Sequence, residues 1–302
     1  MSNFVLIILC FGLGVLLDRL GRFPKNAVDA LNAFLIHISV PALALLYVHD
    51  LPLNVDTLLP LSMAWIVFAA GLLLFKAIGR ACNMSPQTYG CLALTSALGN
   101  TGFVGYPMIS AFFGAEALGL GIICDQGTFF AMSLPGMLLA ARLSSSETPS
   151  MGGVLKKLLS FPPLLAVIAG LFLHEVEYPA LVVDILQKLS ATLTPLALIS
   201  VGLSIPFGAF RARFWPLALG LSYKLLVAPA LILALFGAVM GLRGDILTIS
   251  VFSAAMPPMV LGGVLAREHD LAPDLASLIV GIGTPIGLLT APCWRFLLQF
   301  FG

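Results

Sequence analysis

Charge is what this sequence lacks. Only 10% of its 302 residues are Asp, Glu, Lys or Arg, where a soluble domain carries about 25%. So few charges cannot cover a water-facing surface, and a mean hydropathy of +1.06 excludes a soluble enzyme and a disordered chain alike. The formal net charge is +1, which gives no electrostatic case for nucleic acid as a partner. Cysteine is scarce as well. Cys10, Cys82, Cys91, Cys124 and Cys293 form no CxxC pair and read as small hydrophobes, not disulfides or metal ligands. Catalytic signatures are missing too. The string His174-Glu175-Val176-Glu177-Tyr178 lacks the second His of HExxH, and neither GxSxG nor GxxxxGK[ST] occurs. Neither an enzyme nor a cofactor is expected.

What is present is long apolar sequence, such as Phe4 to Leu17 and Leu217 to Leu242. A membrane β-barrel would instead alternate in polarity over segments of about 10 residues. A helix of about 20 residues crosses the hydrocarbon core, so the lipid bilayer is the implied surroundings. Apolar runs between polar or Pro/Gly breaks give ten spans: 3–20, 26–48, 56–79, 86–113, 115–141, 155–174, 180–205, 214–241, 245–266 and 273–300. The first is read as a membrane helix and not a signal peptide. No Lys or Arg precedes Arg19, and no small-residue cleavage site follows the run. The expected class is an all-α polytopic membrane protein.

Loops rich in Lys and Arg stay cytoplasmic. Arg19, Arg22, Lys25, Lys76, Arg80, Arg142, Lys156, Lys157, Arg211, Arg213 and Arg267 all lie at or after the ends of odd-numbered spans. The opposite side has Arg243 and Arg295, with Asp50, Asp56, Glu116, Glu175 and Glu177 in its loops. Both termini are therefore expected outside a plasma membrane or bacterial inner membrane.

The halves also match in order. Pro24 pairs with Pro179, Asp29 with Asp184, Asn32 with Gln187, Pro41 with Pro195, Pro52 with Pro206 and Pro60 with Pro216. Gly127-Thr128 pairs with Gly283-Thr284, and Pro135 with Pro292. Residues 1–143 and 154–302 thus read as two repeats joined by a short cytoplasmic linker, 144–153. Five spans per half is odd, so the second repeat must enter the membrane inverted. That arrangement is typical of secondary transporters. With no ATP-binding motif, the energy source is expected to be an ion gradient or the substrate's own.

Two spans cannot hold a regular helix. Span 4 carries Gly99-Asn100-Thr101-Gly102-Phe103-Val104-Gly105-Tyr106-Pro107, and span 9 carries Met256-Pro257-Pro258-Met259 followed by Gly262-Gly263. Corresponding breaks near the midplane point to a transport site. Their free backbone groups are tolerated only inside protein or against a wet cavity, and half-helix N-termini suit an anion such as a carboxylate. The carbonyl ends suit a cation instead.

Within the spans, Asn100 ranks first as a substrate contact, because its amide both donates and accepts. Asp125, which costs about 2.5–3.5 kcal/mol at a span centre, is a candidate proton carrier beside Gln126, a candidate substrate ligand. Lys224 is a candidate counter-charge for an anion or for Asp125. Lys188 with Asp184 reads as a structural pair, and His37 as a packed, hydrogen-bonded residue. Thr95, Ser96, Ser250, Ser253 and Thr284 are expected to bond back to their helices.

The run Ala97 to Pro107, followed by Asp125-Gln126, resembles the bacterial auxin efflux carrier family, which includes malonate-transporter-like proteins and is related to the plant PIN carriers. Ser39-Val40-Pro41-Ala42-Leu43 and Lys224-Leu225-Leu226-Val227-Ala228-Pro229 also fit. The resemblance implies ten helices in the fold of bile acid/sodium symporters and some sodium/proton antiporters, with spans 4 and 9 crossing. It implies a scaffold (1–50 and 155–206), a transport domain (56–141 and 214–300), an elevator motion and a homodimer through the scaffold. It implies a small organic anion as substrate, auxin-like or malonate-like. The implied contacts are Asn100, Thr101, Gly102, Gly105, Tyr106, Pro107, Gln126, Pro257 and Pro258. The second break departs from the pattern in lacking an Asn. Alternatives are a sodium-coupled symporter and a non-transporting ligand or sterol sensor on the same scaffold.

Overall fold

The computed structural model describes residues 2–24, 26–49, 51, 55–144, 150–174, 176–204 and 214–300. Lys25, Asp50, Pro52, Glu175, Pro206, Arg211 and Arg213, which enter the orientation and repeat arguments, lie outside the described residues, as do 145–149 of the linker. Among the described residues every regular element is helical. Six helices are long and apolar enough to cross a membrane: Ala27–Tyr47, Leu58–Ala81, Ala115–Ser144, Ala180–Leu203, Phe214–Val239 and Pro273–Leu298. Thr101–Phe113, Pro162–Phe172 and Gly244–Ala254 are shorter apolar helices. The chain is a multi-pass helical membrane protein. Large apolar side chains such as Phe172, Leu73 and Leu289 stand exposed on it, as a lipid-facing surface requires.

Proline shapes these helices. It lacks an N–H and clashes with the carbonyl four residues back, and a locally wide turn relieves both problems. Wide, π-type turns at Leu35–Ser39, Thr101–Gly105 and Tyr223–Val227 each end two residues before a proline, namely Pro41, Pro107 and Pro229. A fourth, Met132–Gly136, contains Pro135. Where proline meets the first turn it starts a helix instead. Pro86 does so behind Ser85, whose Oγ accepts the Thr88 N–H at 3.2 Å. The expected single span over 155–174 is revised for the same reason. Phe161 is extended, and Pro162 opens a separate helix, Pro162–Phe172, after the helix Met151–Leu159.

The chain divides into two compact units. One comprises Met1–Thr57, Gly102–Ile122 and Leu155–Ile205. In it the helix Ser2–Arg19 lies against Leu193–Leu203 at backbone contact. A Cβ on Gly14 would stand 2.4 Å from the Ile199 carbonyl oxygen, the small-residue packing that lipid-embedded helices favour. Ser39 and Thr192 hydroxyls bond at 2.7 Å, and Ser200 donates to Asn32 Oδ1 at 2.7 Å.

The other unit comprises Leu58–Thr101, Ile123–Val154 and Pro206–Gly302. Tyr223 donates its hydroxyl to the Val67 carbonyl, and its ring meets Phe75 edge-on at 5.1 Å. Trp294 Nε1 donates to the Leu225 carbonyl at 2.9 Å. This unit contains the two breaks described next, from Thr95 to Thr101 and from Ala254 to Val260.

Candidate functional site: two paired helix breaks

Each broken span ends its first half where glycine or proline makes the next turn untenable. The first half-helix, Pro86–Thr95, stops before Gly99. The second, Gly244–Ala254, stops before Pro257 and Pro258. The two breaks then pair with each other. Gly99 and Pro258 form an isolated antiparallel bridge, and the Asn100 N–H donates to the Pro257 carbonyl at 2.8 Å. The Met259 N–H reaches Thr95 O at 3.1 Å and Leu98 O at 3.2 Å. The breaks therefore satisfy much of their own backbone by pairing, where the sequence alone points to groups left open to a wet cavity.

Glycines allow this approach. A Cβ on Gly262 would lie 2.0 Å from the Leu94 carbonyl oxygen. Cβ atoms on Gly283 and Gly287 would lie 2.6 Å from Pro258 Cγ and Pro257 Cβ respectively. Sequence reasoning missed Gly287 and saw Gly283 only as a repeat match. Their four-residue spacing, small-xxx-small, was the available signal.

Charge at the pairing is arranged by Lys224 and Asp125. Lys224 is 1% exposed, and its Nζ donates to the Ala254 carbonyl at 2.8 Å. Ala254 ends the half-helix Gly244–Ala254, so the ammonium sits at that helix's negative pole. It also lies against Gly99, whose Cβ, if present, would be 2.8 Å from Nζ. Among the described residues Lys224, expected as counter-charge for an anion or for Asp125, makes no ion pair and is met by a helix end. Asp125 accepts the Thr101 hydroxyl at 2.6 Å. Thr101 opens the segment Thr101–Phe113, so a carboxylate stands by the positive pole of that half.

Gln126 is 2% exposed, and among the described residues neither its amide nitrogen nor its oxygen has a partner. The Ser96 hydroxyl is likewise buried without a partner among the described residues, and the hydroxyls of Ser250 and Ser253 meet the Cys124 thiol, against the expectation that all three bond back. Thr95 and Thr284 do bond back, to Cys91 O and Val280 O. A cavity of about 10 Å³, lined by Gly99, Thr101, Thr128, Lys224 and Ser253 among others, has room for about one water. That cavity is too small for an organic substrate.

The other expected contacts are placed as follows. Gly102, Gly105, Tyr106 and Pro107 belong to the first unit, on the wide turn and the helix Tyr106–Phe113. Tyr106, with Tyr47, Ser110, Gln187, Ser190 and Thr194, lines a separate cavity of about 200 Å³ within that unit. Lys188 pairs with Asp184 at 2.6 Å on an exposed face, and His37 Nδ1 bonds to Ala33 O at 2.9 Å. All five cysteines are free thiols.

Paired helix breaks with buried charge at their poles, inside a multi-pass apolar protein, define a membrane transporter. A family model described as "Membrane transport protein" matches residues 1–295, and the chain belongs to this family, that of the auxin efflux carriers. An uncharacterized transporter of Methanothermobacter thermautotrophicus is 31% identical over 95% of this chain and 94% of its own length. Another, of Methanocaldococcus jannaschii, is 28% identical over 97% of both. Auxin efflux carrier component 1 of Arabidopsis thaliana is 32% identical over 39% of this chain and 19% of its own length.

Proposed function

We propose that this transporter is a secondary carrier of a small organic anion, a carboxylate, built as two inverted five-helix repeats in a plasma or bacterial inner membrane. The observation that carries the reading is Gln126. A buried primary amide with no partner costs several kcal/mol in a medium without water. It is retained where a ligand supplies the missing bonds. Gln126 follows Asp125, which is bonded to Thr101 beside Asn100, and the reading requires one ligand to reach this amide and the first break together. Asn100 leads the substrate contacts, with Thr101, Gln126, Pro257 and Pro258.

Two helix poles give the charge selectivity. The N-terminus of Val260–Glu268 has no side-chain cap and presents N–H donors and partial positive charge. Lys224 holds the Ala254 carbonyl, a group a coupling cation would need. Asp125 is the group that would carry a proton. The filled crossing fits one conformation of an alternating-access cycle, an elevator motion within a homodimer. The plant relative's name, auxin efflux carrier, denotes carriage of a carboxylate-bearing molecule and agrees with this substrate class.

The test is a panel of mono- and dicarboxylates on purified protein, with and without sodium, read by thermal shift, since a ligand that binds the folded state stabilises it. A carboxylate is expected to raise the melting temperature without sodium, and Asn100→Ala to abolish that rise and uptake while remaining folded. A rise only with sodium means the symporter. Binding without flux in liposomes means the sensor. Undiminished uptake by Asn100→Ala removes the site assignment.

A further inference from the structure

A second cavity, remote in purpose from the helix breaks, lies within the second unit at the end of the helix Val55–Ala81. Its volume is about 610 Å³. Lys76 and Arg80 line it, four residues apart and therefore on one helix face. Both are exposed, and neither makes an ion pair or hydrogen bond among the described residues. Among the described residues no acidic side chain lines the cavity.

The polar wall is built by the chain reversal that follows. Asn83 adopts a left-handed conformation, φ +50°, and the Met84 N–H returns to Gly79 O at 2.8 Å, which closes the helix end. Ser85 then caps the next helix, and this fixes Tyr89 on the cavity wall. The Tyr89 hydroxyl also has no hydrogen-bond partner among the described residues. The facing wall is apolar, formed by Leu139 and Leu143 with Phe75 and Met84.

We propose that this cavity binds one anionic phospholipid. Lys76 and Arg80 hold the headgroup phosphate, Tyr89 and Asn83 bond its free oxygens or the glycerol, and an acyl chain lies along Leu139 and Leu143. Two cations alone are what any cytoplasmic helix end carries. Here they share a preformed hollow with an apolar wall, which a soluble phosphate would not use. The distribution of basic residues puts this end of the helix in the cytoplasmic leaflet, where anionic lipids concentrate. The proposal does not depend on what the protein transports.

The test titrates phosphatidylglycerol and phosphatidylcholine onto the intact purified protein, with retained lipid counted by native mass spectrometry. Wild type is expected to keep one phosphatidylglycerol in preference to phosphatidylcholine. Lys76→Gln with Arg80→Gln is expected to lower that preference roughly thirtyfold, at about 1 kcal/mol for each basic residue near an anionic surface. Lys156→Gln, at a basic residue outside the cavity, is expected to leave it unchanged. Leu139→Trp fills the apolar end without touching charge and is expected to weaken retention too. It decides the matter if the double variant does not fold. Equal retention by wild type and by these cavity variants overturns the proposal. So does displacement of phosphatidylglycerol by millimolar inorganic phosphate, which would make the cavity a site for a soluble anion.

Discussion

Gly262→Ala tests the paired breaks most directly. The added methyl would stand 2.0 Å from the Leu94 carbonyl oxygen and 2.9 Å from its carbon. Backbone cannot swing aside as a side chain can, so the half-helices Pro86–Thr95 and Val260–Glu268 must part. Reaching the shortest Cβ contacts that proteins tolerate takes a shift of about 1 Å. Overpacking of this kind costs about 1–3 kcal/mol. The same movement stretches the Met259 N–H bonds to Thr95 O (3.1 Å) and Leu98 O (3.2 Å) beyond useful length. Each such bond is worth about 0.5–1.5 kcal/mol net. The expected sum is a destabilisation of about 2–6 kcal/mol, read as a fall in the detergent melting temperature. Uptake into liposomes should fall with it, because displacement of a binding group by an ångström is enough to uncouple a site. Gly12→Ala is the control, since nothing lies within 4 Å of its new methyl. If Gly262→Ala melts and transports like Gly12→Ala, the breaks do not meet as described.

Three further substitutions probe the chemistry at the site. Gln126→Leu removes two buried, unpartnered polar atoms and is expected to stabilise the protein by about 1–3 kcal/mol while abolishing carboxylate-induced thermal shift. A destabilised variant that still binds would remove Gln126 from the ligand set. Asp125→Asn keeps an acceptor for the Thr101 hydroxyl and so should fold normally. Its flux is expected to lose its response to a pH gradient, and a response equal to wild type would show that Asp125 carries no proton. Met259→Asn places a capping amide at the open end of Val260–Glu268, where it would compete with a bound anion. It is expected to weaken carboxylate affinity in the thermal-shift assay, and unchanged affinity would exclude that helix end from the site.

The helices were legible because the bilayer writes them locally. Spans read at 180–205, 214–241 and 273–300 are seen at Ala180–Leu203, Phe214–Val239 and Pro273–Leu298, since length and apolarity alone decide what can cross. The breaks were legible for a similar reason, as glycine and proline act on their own turn. Their pairing was not. The bond from Asn100 to the Pro257 carbonyl joins residues 157 positions apart, and no periodicity reports it. Lys224 was singled out as a buried charge, but its acceptor is a backbone carbonyl, a group every residue carries and no sequence pattern marks. The split at Ser160 and Phe161 was missed because Pro162-Pro163 sits in an apolar run that hydropathy alone treats as continuous.

The second break's lack of an asparagine takes on a different meaning once the half-helix ends are compared. At the end of Pro86–Thr95 the Thr95 carbonyl is met by the Met259 N–H. At the end of Gly244–Ala254 the Ala254 carbonyl is met by the Lys224 ammonium. At the start of Thr101–Phe113 the Thr101 hydroxyl brings in the Asp125 carboxylate. The start of Val260–Glu268 receives no side-chain cap. An amide there would have filled this end and made the two breaks alike. Met259 leaves it open, so the pole that remains for an external charge is a positive one. A neutral substrate would gain nothing from that pole, and a cation would meet both it and Lys224. The asymmetry of the breaks therefore supports an anion as the cargo, independently of any relative's name.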